Sequence, residues 1–246
     1  MPALSEVMDI SFDSQFWLGL LEIIGVNIVL SGDNAVVIAL AARSLPQHQQ
    51  RAAIVIGSGA AIGLRVILTT AAASVLALPY LKLAGAVLLF WIGIQLLLPE
   101  DEDDGSGSNT AGHLMGAVRT ILIADLVMSL DNVLAVAAAA HGNLVLLSLG
   151  LGFSIPLIVF GSSAILKLMD RFPVVIKLGA GLLGYVAGDM LLSEPMLDVY
   201  EPPAIVEVLI PWLGALLVIG IGTWAAARIN AKRRFATKGS AGEDRQ

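Results

Sequence analysis

The charged residues of this chain are bunched, and between the bunches run apolar stretches of roughly 18 residues or more, the length a helix needs to cross about 30 Å of hydrocarbon. No water satisfies backbone polar groups in that medium, so stretches of this kind must be helical. About seven spans can be drawn on this criterion, at 16–41, 52–77, 82–98, 114–140, 144–166, 173–193 and 205–227. Composition agrees: 57% of the 246 residues are hydrophobic, 14% are charged and the mean hydropathy is +0.85, more apolar character than a soluble core requires. The expected fold class is all-α, a polytopic membrane protein.

Charge places the spans in the bilayer. Lys and Arg accumulate in cytoplasmic loops, and here Arg43 and Arg51 flank the first loop, Lys167 and Arg171 lie in the fifth, and six more follow the last span between Arg228 and Arg245. This predicts an inner-membrane protein with an outer N-terminus and an inner C-terminus. The parts are an extracytoplasmic segment 1–15, a three-helix group 16–98, an acidic cytoplasmic linker 99–113, a second three-helix group 114–193, an acidic outer loop 194–204, a seventh helix 205–227 and a basic cytoplasmic tail 228–246. The N-terminal segment has no basic stretch, which argues against a cleaved signal peptide. With a net charge of −6 and basic residues concentrated at helix ends and in the tail, nucleic acid is not an expected partner, whereas membrane lipid is.

The chain also repeats. Displaced by 98 residues, VNIVLSGDNAVVIALAA (26–42) falls on ADLVMSLDNVLAVAAAA (124–140), so Ser31 meets Ser129, Asp33 meets Asp131, Asn34 meets Asn132 and Asn27 meets Asp125. Displaced by 94, GAVLLFWIGIQLLL (85–98) falls on GAGLLGYVAGDMLL (179–192), so Gln95 meets Asp189. Each copy covers three spans. Three is odd, so the second copy enters the membrane from the opposite side, and such inverted repeats place their substrate near the midplane between the copies. The seventh span has no counterpart.

The repeated motif is polar where polarity is expensive. An ionisable side chain at the bilayer centre costs about 2.5–3.5 kcal/mol on insertion scales and normally faces a partner or a water-filled cavity. On a straight α-helix Asn27, Ser31 and Asn34 share one stripe, as do Asp125, Ser129 and Asn132, with Asp33 and Asp131 one residue aside. Gly32 could loosen the first helix and expose backbone carbonyls as well. Carboxylate, amide and hydroxyl oxygens in such an array suit Mn²⁺, Mg²⁺ or Ca²⁺. The chain has no Cys, and His48, His113 and His141 all lie in loops or at span ends, which leaves nothing central for softer metals. The bland alternative is that the Asp-Asn pairs only hydrogen-bond helix to helix.

These motif copies, SGDNAVVIALAARSLP and ADLVMSLDN, resemble the paired signature of the TerC family of integral membrane proteins, within the LysE superfamily, and are closest to its short branch of metal (manganese) transporters. The resemblance covers about residues 16–226. It implies a seven-helix fold and efflux of Mn²⁺ as the transported ion, with no organic cofactor and no enzymatic activity. Carried over by position, the implied ligands are Asp33 and Asn34 in the first copy and Asp125, Asp131 and Asn132 in the second. Many relatives have an acidic residue where this chain has Asn27, so the site holds one charge fewer and its halves are unequal. The resemblance also raises a rival role, a non-transporting scaffold that works with secretion machinery or loads metal into exported proteins.

Other buried polar residues have two readings each. Glu22 is either an exit-path carboxylate or proton acceptor, or a side chain that snorkels to the interface. Arg65 is either a counter-ion to one of the aspartates, displaced when metal enters, or a static salt bridge. Asp189 lies too far along the sixth span to be assigned as a ligand. The Gly-rich runs 57–63 and 179–184 permit close helix contact. An intramembrane aspartyl protease would need Gly-x-Gly-Asp and Tyr-Asp, and neither occurs.

Overall fold

Proline and asparagine punctuate the helices. Pro46 and Pro173 each stand immediately before a helix, where the missing N–H forfeits no intrahelical bond. Asn143 performs the same service with its side chain, Oδ1 accepting from the N–H groups of Val145 and Leu146 at 3.0 Å each. The structure, a computed structural model, describes residues 14–71, 78, 80–99, 110–140, 143–194 and 203–243, and at 14, 15, 110, 111, 131, 134 and 234–243 the backbone only. Eight helices follow in order among these residues: α1 Ser14–Leu30, α2 Gly32–Arg43, α3 Gln47–Thr70, α4 Leu81–Gln95, α5 Thr110–Ala140, α6 Leu144–Arg171, α7 Val174–Leu192 and α8 Ala204–Glu243. No strand occurs among the described residues.

Helices stand at the seven expected spans, but among the described residues five are long and apolar enough to cross a membrane, or six with the bent pair α1–α2 as one, since α4 has 15 residues. Three further differences follow. The first span is not one helix: α1 and α2 meet at Ser31 with a bend of 55°. Next, α5 begins at Thr110, so the last residues of the supposed linker are helical; 100–109 lie outside the described residues. Finally, α8 runs through to Glu243 where a tail was expected from 228, because AAARINAKRR consists largely of strong helix formers. The segment 1–13, the end of the second span at 72–77, His141 and residues 195–202 of the outer loop also lie outside the described residues. Large apolar side chains remain uncovered along the spans, Val29 at 80% and Phe160 at 77% exposure among them. Lipid is the solvent such a surface fits.

Packing does not follow the halves of the sequence. One compact unit holds 1–81 and 113–167, and thus the first two spans of both copies; the other holds 82–112 and 168–246, and thus both third spans with α8. Within the first unit the copies exchange contacts. A Cβ on Gly57 would sit 2.7 Å from Ile121, and one on Gly150 would sit 2.5 Å from Ile23. Ile23 and Ile121 are partners at the 98-residue displacement, so each copy offers a glycine to the other's isoleucine. That reciprocity is what a two-fold axis between the copies produces.

In the second unit α4, α7 and α8 pack closely. A Cβ on Gly93 would meet Val218 at 3.0 Å and the Ala180 carbonyl at 3.3 Å, and one on Gly188 would lie 2.7 Å from the Ile210 carbonyl. Gly184 and Gly214 face one another so directly that a Cβ on either would run into the other's carbonyl oxygen. Gly184→Val is accordingly expected to force α7 and α8 apart. Overpacking typically costs about 1–3 kcal/mol, and the upper end applies because a backbone oxygen cannot rotate away. Thermal unfolding of the purified variant in detergent checks this, with Gly59→Val as the comparison, since a Cβ on Gly59 meets nothing within 4 Å.

Candidate cation site

The bend in the first span falls within the first copy of the motif. In an unbroken helix the Asn34 N–H would bond to the Leu30 carbonyl. Instead the Asn34 N–H is taken by Asp33 Oδ1 at 2.8 Å, and the released Leu30 carbonyl accepts from Asn132 Nδ2 of the other copy at 3.2 Å. Helical bonding resumes with Ala35 N–H to the Ser31 carbonyl at 3.1 Å. The second copy has no such break, as α5 continues through the matching positions. Gly32, a weak helix former, stands where the second copy has Leu130.

At the break and one turn before it, Ser31 and Asn27 join a closed polar cluster centred on Arg65 of α3, which is 2% exposed. Its Nη1 donates to Asn27 Oδ1 at 2.6 Å and to Ser31 Oγ at 3.1 Å. Nη2 donates to Asp125 Oδ1 at 2.6 Å, and Nε donates to Ser129 Oγ at 3.1 Å. Each serine then donates to the residue four before it, Ser31 to Asn27 at 3.1 Å and Ser129 to Asp125 at 3.2 Å. The two copies thus hold the guanidinium with equivalent pairs, one amide and hydroxyl, the other carboxylate and hydroxyl. One positive and one negative charge balance. The Arg65–Asp125 ion pair is almost wholly out of solvent, the geometry in which removing either partner is strongly destabilising.

The sequence-derived set is partly assembled and partly dispersed. Asn27, Ser31, Arg65, Asp125 and Ser129 gather in the cluster, and Asp33, Asn34 and Asn132 at the break. Arg65 is paired with Asp125, a contact that both readings of Arg65 share. The expected stripe from Asn27 through Ser31 to Asn34 is interrupted, because the bend at Ser31 removes the straight helix on which it depended. Asn34 is 2% exposed, and neither its Oδ1 nor its Nδ2 has a hydrogen-bond partner. The side chain of Asp131 lies outside the described residues. Glu22 is exposed on α1, and Asp189 is exposed on α7 in the other compact unit. Among the described residues no three His, Cys, Asp or Glu side chains form a group able to hold a metal by themselves. Among the described residues the oxygens gathered here are amide, hydroxyl and backbone oxygens as well as carboxylates. Ser58 and Ser162, both buried with unpartnered hydroxyls, escaped the sequence reading because a lone Ser in an apolar helix carries no pattern.

Two-fold-related copies around a buried polar centre, one of them contributing a broken helix, define a polytopic membrane protein of the internal-repeat type. Residues 12–232 match the Integral membrane protein TerC family, and the chain belongs to that family. It is 41% identical over 208 residues to the uncharacterized membrane protein YjbE of Bacillus subtilis, covering 84% of this chain and 94% of that one. The uncharacterized membrane protein YceF of the same species is 29% identical over 167 residues, 65% of each chain. The UPF0053 inner membrane protein YoaE of Escherichia coli is 28% identical over 190 residues, 70% of this chain and 36% of that one. No solved structure matches the chain at a significant level.

Proposed function

We propose that this chain is a secondary transporter that exports divalent metal cations, manganese foremost, from the cytoplasm across the inner membrane, with its N-terminus outside and its C-terminus inside. The observation that carries this reading is the broken first span, whose freed Leu30 carbonyl is met by Asn132 of the other copy and which leaves the amide of Asn34 buried without a partner. Broken helices at a repeat interface are where transporters of this architecture hold their ions, and irregular backbone at membrane depth is tolerated only where it is buried or lines a cavity. In this reading the Leu30 carbonyl, Asp33, Asn34, Asn132 and, by repeat symmetry, Asp131 exchange oxygens for part of the ion's hydration shell. Hard oxygen ligands favour Mn²⁺, Mg²⁺ and Ca²⁺, and the choice of Mn²⁺ and of the outward direction comes from the family resemblance. The copies then rock against one another, and protons balance the charge.

A second reading has one specific observation in its favour. The Arg65–Asp125 cluster is charge-neutral and closed, as a fixed helix clamp in a non-transporting scaffold would be. Flux separates the two. Inverted inner-membrane vesicles from cells expressing the protein are expected to accumulate Mn²⁺ faster than control vesicles and to respond to a proton gradient, with parallel Mg²⁺ and Ca²⁺ assays ranking the ions. Equal accumulation with and without the protein for all three ions rejects the transporter.

A further inference from the structure

We propose that the four oxygens around Arg65 are a cation-binding site in their own right, with the guanidinium as a tethered occupant that competes with a free cation for the cage. Its bearing on transport rests on the reading above, whereas the cage itself is testable by binding alone.

Three observations carry it. First, the acceptors are arranged around the cation and not merely along a helix: Asn27 Oδ1, Ser31 Oγ, Asp125 Oδ1 and Ser129 Oγ all lie 2.6–3.1 Å from a guanidinium nitrogen. Second, the acceptors come in two-fold-related pairs and the cation does not. The pairing of Gly57 with Gly150 makes Ile158 the counterpart of Arg65 in the second copy, so that copy supplies no charge at the equivalent position. A single cation between two equivalent acceptor pairs is the stoichiometry of a bound ligand. Third, Asn27 turns its oxygen to Arg65 and Ser31 and leaves Nδ2 buried without an acceptor, an orientation in which the shorter bond, 2.6 Å, is the one to the cation.

Removing the tethered charge leaves Asp125 buried with no counter-ion and a vacated volume of guanidinium size. If Arg65 fills the cage more than nine-tenths of the time, its removal raises the apparent affinity for a competing cation by about tenfold or more. The test uses full-length protein purified in detergent. Arg65→Ala is expected to melt below wild type and to recover at least half of the lost Tm in low-millimolar guanidinium chloride, with no recovery in equimolar sodium chloride. It is also expected to bind Mn²⁺ about tenfold more tightly than wild type, a gain that Arg65→Ala/Asp125→Asn loses. Should Arg65→Ala fail to fold, Arg65→Lys decides: a single ammonium fills four acceptors poorly, so a smaller gain in Mn²⁺ affinity supports the cage and an affinity equal to wild type overturns it. A folded Arg65→Ala that responds to neither cation also overturns it. Absence of flux in the wild type, by contrast, removes the transport reading and leaves these binding results standing.

Discussion

Asp125→Leu is expected to leave almost no folded protein, and the exchange Asn27→Asp/Asp125→Asn is expected to bring most of it back. The single change leaves the Arg65 guanidinium buried without a counter-charge, and breaking a buried pair in this way costs about 3–5 kcal/mol. That is a large share of the roughly 5–15 kcal/mol that holds a typical domain together. The exchange keeps the charge count and moves the carboxylate across the two-fold axis. Asn27 Oδ1 and Asp125 Oδ1 both stand 2.6 Å from a terminal nitrogen of the same guanidinium, so the carboxylate meets an equivalent donor on either side. Monodisperse yield and Tm in detergent measure the outcome. A double variant no better than Asp125→Asn alone would show that the two positions are not equivalent around Arg65.

Asp33→Asn is expected to reduce Mn²⁺ flux at least about tenfold, equivalent to roughly 1.4 kcal/mol or more of lost interaction with the ion, while changing stability by less than about 1 kcal/mol. The small stability effect follows from the hydrogen bonding. Asp33 Oδ1 accepts the Asn34 N–H at 2.8 Å, and an asparagine oxygen at the same place keeps that bond, so the break in the helix survives. Only the charge is removed. A variant that melts like wild type and transports like wild type would take Asp33 out of the ion path. The repeat extends the expected loss of flux, though not the stability argument, to Asp131→Asn.

Much of this organisation is legible in one dimension because the bilayer enforces it. Apolar length located the spans, and the recurrence of Ser-x-Asp-Asn located the polar centre. What periodicity missed is where the helix stops being a helix. The stripe from Asn27 to Asn34 presumes an unbroken α1, and the hint against it was the exchange of Gly32 for Leu130 between copies. Arg65 was visible as a charge in an apolar run, yet its partner was not, because that depends on how α3 of one copy crosses α5 of the other. The division into compact units was equally hidden: it groups first and second spans from both copies, an exchange that no linear boundary at 99–113 records. Glu22 and Asp189 are both exposed, a facing that their place inside an apolar window does not reveal.

The most direct measurement is Mn²⁺ uptake into liposomes reconstituted with the purified protein alone. Transport through the site described here requires uptake above that of empty liposomes, with Asp33→Asn close to the empty baseline. Wild-type uptake indistinguishable from empty liposomes, by a protein that is folded and correctly incorporated, contradicts it.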